Sequence, residues 1–160
     1  MYMWVEDCLL QMSLADIFVS RSHGEYHNSP SRTYIYLTGD YGESSDDYFL
    51  YSDQLYDFDT ETVITDLSGM EIALFVGCYT GRKGETGRNL PVAAVCAGAS
   101  HAVGFEKSIE CEAANYFTKW FFDYYGAGFS VVECFENSIE ETMLQYRDSR
   151  IDSAILVSCG

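Results

Sequence analysis

The spacing of apolar residues changes period several times along the chain. Residues 2 to 14 carry them at helical intervals, which predicts a helix, and Ile17, Phe18 and Val19 then form a short buried strand that runs out at His23. TYIYL at 33–37 and YFLY at 48–51 are β-prone, with GDYGESSDD between them, and predict a two-stranded excursion lying on the surface. IALFV at 72–76 is continuously apolar and bounded by Ser68, Gly69 and Gly77, the pattern of a strand covered on both faces. A helix follows from Asn89 to Ala97, and HAVGF at 101–105 predicts another strand.

Over 110–125 the apolar positions Ala113, Tyr116, Phe117, Trp120, Phe121 and Tyr124 recur at helical spacing, with Gly126 as the stop. Ser130 and Glu133 have the spacing of a capping box for a second helix, whose inner face is expected at Val131, Phe135, Ile139 and Met143. SAILVSC at 153–159 is the last strand. Strands alternating with helices predict an α/β fold with a mostly parallel sheet and helices on both faces, in one domain over residues 1–160. No internal repeat or low-complexity segment interrupts it.

Composition sharpens this. Of the 160 residues 48% are hydrophobic and 16% aromatic, enough to build a core without metal or disulfide staples. A net charge of −16 repels nucleic acid and anionic membrane surfaces and favours a basic partner. The first 16 residues lack a basic leader region and are interrupted by Glu6 and Asp7, so the expectation is a cytoplasmic protein with no spanning helix. Six cysteines are scattered without a CxxC pair, four of them inside apolar periodic stretches where a thiol packs as a small hydrophobe, so neither disulfides nor zinc is expected. The tyrosines and phenylalanines fall at helical or strand spacing, which assigns most of them to core packing.

Chemistry gathers at two strand ends. His23 and Cys78 each follow the carboxyl end of a run read as a central strand, 55 residues apart. In a parallel sheet such ends face one crevice, so neighbouring strands would bring imidazole and thiol together. An imidazole that takes the thiol's proton makes a nucleophile of it. Gly24 and Gly77 flank the pair and allow close backbone approach, which makes the amides of Gly24 and Cys78 candidate oxyanion donors. His27 reads as a loop residue and His101 as structural. A phosphate-binding reading of GCYTGRKGET fails, because Lys83 is followed by Gly84 and not by serine or threonine. No cofactor is implied.

SHG after one apolar strand and GCYTG after another resembles the caspase-like cysteine peptidases, most closely their bacterial CHAT branch, relatives of separases and gingipains. NLPVAAVCAGASHAVGF, ECEAANYFTKWFFDYYGAG with SVVECF, and SAILVSCG are similar to that family's later helices and closing strand. The resemblance implies a three-layer sandwich of caspase type, with His23 as general base and Cys78 as the nucleophile of a thiol endopeptidase acting on protein or peptide substrates. It also implies that the basic residues Arg82 and Lys83, just past the nucleophile, are points of proteolytic processing.

The chain departs from the pattern in three places. The two strands and helix with which the family's sheet begins are missing, so the chain reads as a fragment or as a minimal version whose sheet is completed by a partner chain or by self-association. Val76 stands two residues before the nucleophile, where basic-specific relatives carry aspartate. Lys107 replaces a tryptophan often found in the family, whereas the acidic position is kept as Glu110. Two other readings stand beside the peptidase. One is a catalytically incompetent CHAT-like interaction module within a regulatory or defence assembly. The other is a structural subunit whose nine carboxylates between Asp40 and Asp66 dock a basic partner.

Overall fold

The computed structural model describes residues 5–28, 31–37, 49–84 and 86–159. Helix α1 (Val5–Leu14) leads into strand β1 (Ile17–Arg21). An antiparallel sheet follows, made of β2 (Gly24–Asn28), β3 (Ser31–Tyr36) and β4 (Phe49–Tyr51) in that order. A small hairpin, β5 (Tyr56–Asp57) with β6 (Thr62–Val63), precedes β7 (Ile72–Val76). Then come α2 (Leu90–Cys96), β8 (His101–Phe105), α3 (Cys111–Gly126), α4 (Val131–Gln145) and β9 (Ala154–Ser158). The main sheet has the order β1-β7-β8-β9, with β1, β7 and β8 parallel and β9 antiparallel. The described chain is thus an α/β protein with a mixed, mostly parallel four-stranded sheet and four helices.

Burial explains why β7 runs through the middle. All five of its residues are buried, and because side chains alternate across a strand they serve two cores. Ala73 and Phe75 pack with α1 and with Leu90, Ala93 and Ala94 of α2. Ile72, Leu74 and Val76 pack on the other face with Phe117 and Phe121 of α3 and Val131 and Cys134 of α4. Each fully buried large apolar side chain contributes about 1.5–3 kcal/mol, so a continuous apolar run is stable only where both faces are covered.

Several expectations need correction. The first helix is described from Val5, and residues 2–4 and Tyr48 lie outside the described residues, as do Asp40, Glu43, Asp46 and Asp47 of the acidic segment. The excursion after β1 is three-stranded: GEYHN forms β2, which the sequence reading took for loop. Nor does that sheet merely lie on the surface, because Ile35 and Leu50 are fully buried in the α1–α2 core. Strand β1 is not central. Among the described residues it pairs only with β7, and Val19 is exposed.

Helix α3 runs through Gly126 and is capped at Ala127. The left-handed position follows at Gly128, with φ of +89°, which is where glycine is required. The capping box of α4 forms as expected, with Ser130 Oγ accepting from the Glu133 amide and the Glu133 carboxylate accepting from the Ser130 amide. Its buried face, however, is Val131, Cys134, Ser138 and Thr142, while Phe135 and Ile139 are half-buried and Met143 is exposed. Small side chains let α4 approach α3 closely. The hydroxyls of Ser138 and Thr142 satisfy themselves on the carbonyls of Cys134 and Ser138, four residues back, so burying them leaves no orphaned group.

Candidate active site

The pairing of β1 with β7 sets the geometry of the strand ends. Ile17 stands beside Ile72 and Arg21 beside Val76, a constant offset of 55 residues, and the Ser22 amide extends the ladder by donating to Val76 O at 3.2 Å. His23 and Cys78 are the residues that the same offset would pair two positions beyond the last matched residues, where the ladder has ended. Strands in a sheet lie about 4.8 Å apart, so two residues beyond the last pair the chains are still close neighbours. Both residues line one cavity of about 570 Å³ at this end of the sheet, a volume typical of small-ligand and peptide sites. His23 is exposed and Cys78 half-buried.

Side-chain parity fixes which face the thiol occupies. Val76 belongs to the core under α3, and Cys78, two residues on, packs against that same core. The cavity is accordingly closed by Ala114 and Asn115 of α3 and by Ser108 and Ile109, which precede that helix. In this conformation Cys78 Sγ lies 3.4 Å from Ser108 Oγ and 3.7 Å from Ile109 O.

The neighbours of the two glycines can be named. His23 O accepts the Tyr36 amide at 3.0 Å, so in the antiparallel ladder Gly24, paired with Ile35, turns its N–H away from β3. A Cβ on Gly77 would come within 3.2 Å of that nitrogen, which puts the Gly24 amide beside the Gly77–Cys78 turn. The Cys78 amide makes no hydrogen bond among the described residues. Two N–H groups without an acceptor among the described residues, next to a thiol, have the chemistry to stabilise a developing oxyanion.

Sequence reasoning missed the residue that holds this loop. Tyr79 adopts a left-handed conformation with φ of +60°, rare for a side chain of its size, and turns the chain so that Thr80 points back beneath the strand end. Thr80 is fully buried. Its Oγ1 lies 3.0 Å from both Phe75 O and Gly77 O and accepts the Phe105 amide at 3.1 Å. Its carbonyl accepts Thr33 Oγ1 at 3.0 Å and the Leu90 amide at 3.3 Å. One threonine therefore couples β7, β8, β3 and α2 directly under Cys78. A threonine in a glycine-flanked turn carries no periodic signal, so nothing in the sequence singles it out.

His27 is not a loop residue: it lies in β2, and its Nε2 is 3.2 Å from Tyr34 Oη, which donates to Glu25 at 2.6 Å. His101 opens β8, and its buried Nδ1 has no hydrogen-bond partner among the described residues. Arg82 stacks over Tyr26 and Tyr79, and Lys83 lies 4.0 Å from Glu106. Lys107 and Glu110 are exposed, and the Lys107 carbonyl accepts the Tyr79 amide. Among the described residues no group of three or more His, Cys, Asp or Glu side chains could hold a metal ion, and no helix is long and apolar enough to cross a membrane.

Of the six thiols only Cys8 and Cys134 are buried, which corrects the expectation that four pack as small hydrophobes; Cys96, Cys111 and Cys159 are exposed. Burial pushes the Cys8 thiol up to about 11 and raises that of Cys134. Two pH units of displacement at Cys8 lower its thiolate fraction about a hundredfold at neutral pH. Iodoacetamide at pH 8 is therefore expected to alkylate Cys111 and Cys159 well before Cys8, read by peptide mapping over time. Equal rates at Cys8 and Cys159 would show that the α1 core is open.

No protein-family model matches the chain, and no curated protein matches it in sequence.

Proposed function

We propose that this chain is a caspase-like cysteine peptidase domain of the CHAT type, a single three-layer domain over residues 1–160 that hydrolyses peptide bonds in protein or peptide substrates. His23 serves as general base and Cys78 as nucleophile. The Cys78 sulfur attacks the substrate carbonyl, its proton passes to His23 and on to the leaving amine, and water then hydrolyses the thioester. The amides of Gly24 and Cys78 hold the oxyanion of both tetrahedral intermediates. The observation that supports this reading is that His23 and Cys78 follow the ends of two adjacent parallel strands paired at a constant 55-residue offset, and that both line one cavity. The β1 edge, which pairs only with β7 among the described residues, is where a partner chain or a second copy would complete the sheet.

A second reading is favoured by the contacts of the thiol itself. Cys78 Sγ lies against Ser108 and Ile109, on the β8 side of its strand, whereas His23 follows β1 on the other side. An interaction module that keeps the fold without a competent site would look the same. A peptide carrying a thiol-reactive electrophile separates the two. The peptidase should be labelled selectively at Cys78, with labelling lost in His23→Ala. Labelling spread over the exposed Cys96, Cys111 and Cys159 and indifferent to His23 would overturn the peptidase in favour of the module.

A further inference from the structure

The cavity that holds Cys78 holds a second thiol. Cys111 is the first residue of α3 and lines the same cavity. Helical Cα–Cβ bonds tilt toward the helix N-terminus, so this side chain projects back toward the segment just before the helix. That segment, Ser108 and Ile109, is the one Cys78 Sγ already touches. Cys111 is exposed and Cys78 half-buried, so a small oxidant reaches both. Cys8 and Cys134 are buried, and Cys96 and Cys159 do not line this cavity.

We propose that Cys78 and Cys111 form a redox-responsive dithiol, which hydrogen peroxide converts to a disulfide that closes the site. The Cys78 thiolate attacks one peroxide oxygen. An S–O bond forms as the O–O bond breaks, and the departing oxygen leaves as hydroxide and takes up a proton. Cys78 is now a sulfenic acid, oxidised by two electrons, and the peroxide is reduced to water. The Cys111 sulfur then attacks the Cys78 sulfur: the S–S bond forms, the S–O bond breaks, and the hydroxyl leaves as water with the Cys111 proton. A reducing thiol restores both cysteines. The bridge also spares Cys78 from irreversible oxidation to the sulfinic acid, because it consumes the intermediate that would be oxidised further.

The regulatory consequence rests on Cys78 being the nucleophile of the proposed peptidase, but the bridge does not, so the experiment reads the bridge by mass and not by turnover. The reduced full chain is treated with hydrogen peroxide and digested without reductant. A linked peptide joining Cys78 to Cys111 is expected, lighter by two hydrogens than its parts, with both residues lost to iodoacetamide and recovered fully after dithiothreitol. In Cys111→Ser, with folding checked by circular dichroism, Cys78 is expected to pass to the sulfinic acid and not to recover. Cys78 oxidised to sulfinic acid in the unaltered chain while Cys111 stays free would overturn the proposal. So would identical recovery of Cys78 in both proteins. Failure of peptide hydrolysis with an intact bridge would count against the peptidase alone.

Discussion

Cys78→Ala is expected to abolish peptide hydrolysis and acyl-enzyme formation together, whereas His23→Ala should leave a residue of activity about 10²–10⁴-fold below the parent. The difference follows from the two roles. Without the sulfur no covalent intermediate exists, and the remaining amides can only bind. Without the imidazole the sulfur is still present, and what is lost is proton transfer, which is worth about 10²–10⁴-fold. Added imidazole should recover part of the rate in His23→Ala, because the cavity left at the exposed rim admits it, and should do nothing for Cys78→Ala. Cys96→Ala and Cys159→Ala, which alter exposed thiols outside the cavity, should keep parental turnover. Steady-state hydrolysis of a fluorogenic peptide mixture checks all four. Undiminished turnover in Cys78→Ala would remove the proposed chemistry, because no covalent intermediate could then form on this thiol.

The framework of this site was legible because it rests on period and punctuation. Ile72–Val76 advertises itself as a doubly covered strand through an unbroken apolar run closed by glycine, and the capping box at Ser130 marks the start of α4. The 55-residue spacing was visible too, although only the pairing of β1 with β7 turns it into a spatial statement. What escaped was structure held by contacts across the chain. Strand β2, Gly-Glu-Tyr-His-Asn, has one large hydrophobic side chain and no clean alternation, and it is a strand because β3 supplies its hydrogen bonds. The inner face of α4 holds at Val131, but beyond it the buried positions are Cys134, Ser138 and Thr142, each one residue before the larger Phe135, Ile139 and Met143 that size alone favours. The helix interface instead rewards small residues whose hydroxyls return to their own backbone. Thr80 escaped for a similar reason: its importance lies in four carbonyl and amide partners drawn from β7, β8 and α2, none of them near it in composition.

Those partners make the floor of the site rigid, and Gly24→Ala tests that rigidity directly. A Cβ at Gly24 would stand 2.3 Å from Cys78 O, 2.7 Å from Thr80 Cγ2 and 3.3 Å from Cys78 C. A flexible side chain would swing away from such a contact. A main-chain carbonyl cannot, and the threonine methyl beside it is locked by the hydroxyl's bonds to Phe75, Gly77 and Phe105. The added methyl must therefore push β2 and the loop Gly77–Thr80 apart. Overpacking of this kind costs about 1–3 kcal/mol, and for a chain of this length each kcal/mol lowers Tm by about 2–4 °C. The effect on chemistry should be larger than the effect on stability. The displaced atoms include the Gly24 amide and the carbonyl of Cys78, the proposed nucleophile, and a shift of about 1 Å at reacting groups can cost about 10²-fold in rate. A loss of that order in kcat, with Tm lowered but a cooperative melt retained, is the expected result. Gly69→Ala and Gly126→Ala serve as controls. Nothing lies within 4 Å of a Cβ at either position and neither has positive φ, so both should melt at or above the parental temperature and keep their activity. Should Gly24→Ala behave like these two, the close approach of β2 to the Cys78 carbonyl would be refuted, and with it the placement of the Gly24 amide as an oxyanion donor.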